Sequence, residues 1–169
     1  MKKLLLFPLL TLIFSSLLFS QSAVTEKKFI KGSLSEKIKI IDNLEEKESV
    51  LIPQKALFFA IENAASLSSD DELRTLVTAA VKALPDDPEK IKKIKTSTQK
   101  SISENLMTVF KLFKNTELRS AVMEKLALYS RDSLPLVVSF LNDYLETAFK
   151  TDASAENVLE EAIVALGKI

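Results

Sequence analysis

Histidine, cysteine and tryptophan are absent from this chain of 169 residues, and glycine occurs twice, at Gly32 and Gly167. Without histidine there is no imidazole base near neutral pH. Without cysteine there is no thiolate nucleophile, and the usual ligands of transition metals are missing. These absences remove most hydrolase and redox chemistry and argue for no bound cofactor. They also mean that no disulfide holds the fold. Two glycines 135 positions apart can form neither a phosphate-cradling loop nor a dinucleotide-binding turn. Sheets joined by tight turns need glycine at positive backbone angles. The shortage of glycine, beside plentiful Ala, Leu, Glu and Lys, therefore predicts an all-α protein.

Charge of one sign is also lacking, since 23 basic residues balance 23 acidic ones. Such a balance argues against nucleic acid as the main partner. Lys2 and Lys3 precede an uncharged run from Leu4 to Phe19, the layout of a secretory signal peptide. Pro8, Ser15 and Ser16 interrupt it, and it falls short of the roughly 20 apolar residues of a membrane span. Small residues at Ser20 and Ser22 suit a signal peptidase, which places the cut near Ser22 and predicts an exported, periplasmic or secreted protein. On this reading the membrane is met only through residues 1–22. Residues 23–34 form a loose, polar segment, and residues 35–169 a single helical domain. With Lys2 and Lys3 removed, 21 basic residues face the 23 acidic ones, and 47% apolar content is enough to build one core by packing alone.

Apolar periodicity with start and stop signals predicts about seven helices. The first spans 35–47 under a Ser33/Glu36 capping box. The second runs from Pro53, a suitable first helical residue, to Leu67, and the third begins under Ser69 or Asp70 and ends before Pro85. Pro88 to Lys114 is either one helix with Ile91, Ile94, Thr98, Ile102, Leu106, Val109 and Phe113 on a stripe, or two helices broken near Thr96. The fifth runs from Asn115 or Thr116 to Tyr129, the sixth from Asp132 or Ser133 to Phe149, and the last starts near Ser154.

Asp71–Leu84, DELRTLVTAAVKAL, matches Thr116–Tyr129, TELRSAVMEKLALY, with Val77 falling on Val122 and Val81 on Leu126. The offset of 45 residues lies in the range of helical-pair repeats. In the same frame Leu159 and Ile163 of the terminal helix take those two positions. Between the copies, Leu134-Pro135 opens an apolar helix ending in Asn142-Asp143, and the chain closes on VLEEAIVALGKI. The first resembles the leading helix of a HEAT-type repeat and the second its partner helix, over Pro53 to Ile169. The resemblance implies helical pairs stacked as a short α-solenoid that works by binding proteins. The chain departs from the family pattern at Glu160, where a basic residue is usual, and Leu73-Arg74 and Leu118-Arg119 only approximate the family's Arg-Val pair. An irregular α-helical bundle is the alternative architecture.

The remaining candidates are read against their plainer explanations. Ser97-Thr98-Gln99-Lys100 has the S-x-x-K spacing of penicillin-recognising enzymes, but its companion motifs overlap it instead of lying far apart on an α/β fold. Asp70-Asp71-Glu72 and Asp86-Asp87 precede helices, where carboxylates cap free N–H groups. Lys90, Lys92, Lys93 and Lys95, with Lys100, form a basic helix face that either meets solvent or borders a partner site. Phe58 and Phe59 point about 100° apart on a helix, so their helix is either buried on two sides or lends one ring to a partner groove; burial is the expectation. Apolar spacing continues to Leu166, Gly167 is the expected turn, and Lys168 and Ile169 would leave an open repeat end that docks on another copy or another protein. The expected function is that of a non-enzymatic scaffold or adaptor in the cell envelope. The alternative is a carrier of lipid or another apolar ligand between Phe58, Phe59, Phe110 and Phe140.

Overall fold

The computed structural model describes residues 24–44, 50–67, 70–151 and 156–169. The segment read as a signal peptide lies outside them. The described residues are almost entirely helical, with no strand among them. The helices are α1 (24–31), α2 (Leu34–Asp42), α3 (Leu51–Leu67), α4 (Asp71–Ala83), α5 (Pro88–Lys92), α6 (Thr96–Leu112), α7 (Thr116–Tyr129), α8 (Leu134–Thr151) and α9 (Glu156–Lys168), with a 3-10 turn at Arg131–Ser133.

These elements pack as consecutive pairs in two layers. α3 packs on α4, α6 on α7 and α8 on α9; across pairs, α3 meets α6 in one layer, and α2, α4, α7 and α9 follow one another in the other. Each short helix has an apolar stripe it cannot bury by itself, so the core forms between the layers. Leu57, Leu73, Leu76, Leu106, Leu118, Leu126 and Leu141 are fully enclosed there. The internal match in the sequence has a structural counterpart: Leu73 and Leu118, Val77 and Val122, and Val81 and Leu126 are all fully buried. The terminal helix does not keep the expected register. Val158, Ala162 and Ala165 face the core, while Leu159 is half-buried and Ile163 is 53% exposed, a shift of one residue that turns the inward stripe by about 100°.

Local signals set the starts of four helices. Ser33 accepts from the Glu36 amide while the Glu36 carboxylate accepts from the Ser33 amide at 2.7 Å, a complete capping box. That backbone hydrogen bond, with a second from the Ser33 hydroxyl, holds the Glu36 carboxyl below its ordinary range. Asp70 caps α4 through the Glu72 amide at 2.7 Å, Asp87 caps α5 through the Glu89 amide at 2.9 Å, and Asn115 caps α7 through the Leu118 amide at 2.9 Å. Replacing Ser33 by alanine is expected to lower stability by about 1 kcal/mol, read as a lower denaturant midpoint with an unchanged slope.

Two expectations change, and the choice left open for Pro88 to Lys114 is resolved. Residues 24–31 are not loose but form α1, because Phe29 is only 2% exposed and gives the stretch one buried apolar anchor, while Val24 and Ile30 stay exposed. Gly32 allows the close turn that follows: a Cβ there would lie 3.0 Å from the Lys28 carbonyl oxygen and 3.1 Å from the Glu36 Cβ. Pro88 to Lys114 is two helices, broken at 93–95, and Gln99 fills the break by donating to the Ile91 and Ile94 carbonyls at 2.9 and 2.8 Å. Gln99, not Thr98, is thus the buried residue of that turn. Gly167 does not turn the chain, since α9 runs through it to Lys168 without a positive φ.

Candidate functional site

The two layers diverge at the last pair. α9 lies closely against α7, whereas α8 meets α6 only slightly. The divergence opens a groove of about 640 Å³ between α6 and α8. Its floor is aromatic: the Phe110 ring stands edge-on to Phe140 at 5.3 Å and to Tyr144 at 4.8 Å. This is the preferred geometry for rings whose faces are negative and edges positive. Phe110 and Phe140 are buried, and Leu136, half exposed, stands on the rim.

Three cations flank that floor. Lys111 lies over the Phe140 ring at 5.6 Å, and the Arg119 guanidinium over Phe110 at 4.5 Å. Arg119 also donates from Nε to the Phe113 carbonyl at 3.3 Å, which fixes the guanidinium above the ring. Lys114 completes the group. Its ammonium is held below its ordinary range, first by partial loss of solvent and then by the Arg119 charge. No ion pair joins these three to a carboxylate among the described residues. Glu104 and Asp143 also line the groove, so its walls carry both signs, with the positive one in excess.

The partner residues expected from sequence lie elsewhere and fall into two places. Lys90 and Lys92 are on α5, and Lys93 and Lys95 in the turn after it. Lys92 pairs with Glu89 at 2.6 Å, and Lys93 and Lys95 are exposed. Lys168 is the last residue of α9 and is exposed, and Ile169, which follows it, packs partly against the core rather than standing bare. The phenylalanines separate as well. Phe110 and Phe140 floor the groove, whereas Phe58 and Phe59 border a hollow against α1. Phe58 is 55% exposed, contrary to the burial expected for it. Phe59 lies 4.9 Å beneath the Lys37 ammonium. Lys37 is itself buried, with its charge disfavoured by loss of solvent, and donates to the carbonyls of Ile30 and Gly32 at the end of α1.

Sequence reasoning missed a second polar cluster, which holds the α4–α5 loop. Lys125, 5% exposed at its side chain, donates to the Leu84 carbonyl at 2.5 Å and pairs with Asp86. The Tyr129 hydroxyl donates to the Pro85 carbonyl at 3.1 Å, and the Ser103 hydroxyl to the Tyr129 carbonyl at 2.6 Å. The available signal was a lysine three residues after Val122 and four before Tyr129, within the apolar stripe of α7. Asp86 therefore acts as an ion-pair partner, while its neighbour Asp87 is the cap that the sequence indicates.

Ser97 and Lys100 are exposed near the start of α6. No group of three or more carboxylates among the described residues is placed to hold a metal ion, and none of the described helices is long and apolar enough to cross a membrane. No family model, no curated protein and no solved structure matches the chain.

Proposed function

We propose that this is an exported, non-catalytic protein of stacked helical pairs, similar to HEAT-type repeats, that acts as an interaction scaffold or adaptor in the cell envelope. The observation that carries the reading is the groove between α6 and α8. It combines Phe, Tyr, Met and Arg side chains, the types enriched where proteins bind one another, with a rim of charged residues. The sequence supports export through Lys2, Lys3 and the apolar run after them, and its lack of histidine and cysteine supports a non-catalytic role. Stacked pairs also suit this work, because each added pair extends one continuous surface.

Immobilised protein challenged with an envelope extract of its source is expected to retain one discrete protein, and free protein added in excess should displace it. Retention of nothing above a scrambled control would overturn the proposal. The carrier reading draws support from the same aromatic floor, and native mass spectrometry separates the two. A carrier extracted gently is expected to appear with a small-molecule mass adduct, and a scaffold without one.

A further inference from the structure

We propose that the α6–α8 groove is the docking site for an acidic amphipathic helix of the partner, an inference that rests on the interaction reading above. Its length is the first argument. On α8 the groove is lined from Leu136 to Ala148, and twelve residue steps of helix span about 18 Å. That is the length of a three-turn helix laid between two others. The residues lining α8, including Leu136, Phe140, Tyr144 and Ala148, recur at helical spacing, so the wall is a continuous ridge rather than a pit. An elongated, open slot of this kind takes a helix by its apolar face, with anchors at intervals of three and four residues.

Charge decides what flanks the anchors. Lys111, Lys114 and Arg119 border the aromatic floor with no carboxylate paired to them among the described residues. Two of them sit over ring faces, which keeps their charges beside the aromatic floor. Crowding like charges is unfavourable, and the Lys114 ammonium, held below its ordinary range first by partial loss of solvent, is lowered further by the neighbouring Arg119 charge. Carboxylates on a docking helix would relieve it. An apolar side chain between them would cover the exposed edges of Phe110, Phe140 and Tyr144 together with Leu136. A basic helix would add to the repulsion, and a purely apolar one would leave three cations partly desolvated and unpaired.

The test uses two fluorescein-labelled model peptides of about fifteen residues, long enough for the groove. Both carry leucines at helical spacing of three and four, and the flanking positions hold glutamate in one and lysine in the other. Fluorescence anisotropy with purified protein should show saturable binding of the glutamate peptide, weakening as salt rises, and binding of the lysine peptide at least tenfold weaker. In the Lys111→Glu/Lys114→Glu variant both changes are on exposed side chains, so the melting temperature should hold while the preference reverses. Phe140→Leu should weaken both peptides without altering their order.

Equal binding of the two peptides, or a preference that survives the charge reversal, overturns the proposal. So does displacement of the glutamate peptide by dodecanoate at stoichiometric concentration, which would make the groove a site for anionic amphiphiles. The same double variant separates this proposal from the scaffold reading. If the variant still retains the natural partner on the column, the groove is wrong and the scaffold reading stands. If wild-type protein retains no partner, the scaffold reading fails by itself.

Discussion

Truncating Tyr129 to alanine is expected to lower the free energy of unfolding by about 4 kcal/mol, within the range for deleting a buried aromatic ring. The residue has no exposed surface, so the change opens a cavity at the junction of α7 with α6 and the α4–α5 loop. It also strands the Pro85 carbonyl, which accepts from the Tyr129 hydroxyl. Tyr129→Phe keeps the ring and loses only that bond, and should cost about 1 kcal/mol. Urea denaturation followed by circular dichroism would read both. Equal losses for the two variants would mean that the hydrogen bond, and not packing, carries the effect.

The same phenol gives the fold an alkaline limit with a defined sign. Burial raises the Tyr129 pKa, and the Asp86 carboxylate raises it further above the ordinary value of 10.0. A group whose pKa is higher in the folded state contributes its full stability below the unfolded value. That contribution is lost as pH rises above it, because the unfolded chain ionises and the folded one does not. Wild-type stability should therefore fall above pH 10, and Tyr129→Phe should flatten the fall. If the two profiles stay parallel from pH 9 upward, another group governs the alkaline limit.

What the sequence discloses of this fold is what depends on neighbours in the chain. The Ser33/Glu36 box, the Asp70, Asp87 and Asn115 caps and the start at Pro88 each involve groups within three residues of one another, so type and spacing are enough to find them. The ELR match is legible for the same reason: each copy lies within a single helix, α4 or α7. α1 was not legible, because its order comes from a single apolar side chain, Phe29, and from a distant ion pair between Glu26 and Lys55 at 3.1 Å. The register of α9 was missed because Val158 and Leu159, like Ala162 and Ile163, are adjacent apolar residues, and only contact with α7 selects the inner member of each pair.

The candidate site was less legible than the fold. Lys90, Lys92, Lys93 and Lys95 drew notice because they are close in sequence, yet the cations that surround a groove are Lys111, Lys114 and Arg119, on α6, the α6–α7 turn and α7. Their aromatic partners Phe140 and Tyr144 come from α8. The carrier alternative groups Phe110 and Phe140 with Phe58 and Phe59, but nothing in their spacing shows that only the first two meet. The groove arises from the different approach of α8 to α6 and of α9 to α7, a property of two layers at once.

Lys125 carries the second large expectation. A lysine on the buried stripe of α7 lies where an aliphatic residue would normally pack, and its position is explained by what it holds. Its ammonium meets the Leu84 carbonyl and the Asp86 carboxylate, and so closes the loop that leads from α4 to α5. These partners differ in weight. Asp86 is 69% exposed, so solvent screens the ion pair and its contribution is small. Leu84 is buried, so a carbonyl deprived of its donor there loses a hydrogen bond to a charged group with no water to replace it.

Lys125→Ala is accordingly expected to cost about 3 kcal/mol, combining the stranded carbonyl with the lost packing of the stem. Lys125→Met, which keeps the stem, should cost about 2 kcal/mol, and Asp86→Asn less than about 1 kcal/mol. Amide exchange should rise first at residues 84–87, because the loop is released before the helices it joins. An Asp86→Asn loss as large as that of Lys125→Met would place the energy in the ion pair. A protected loop in Lys125→Ala would show that α7 holds it through Tyr129 alone.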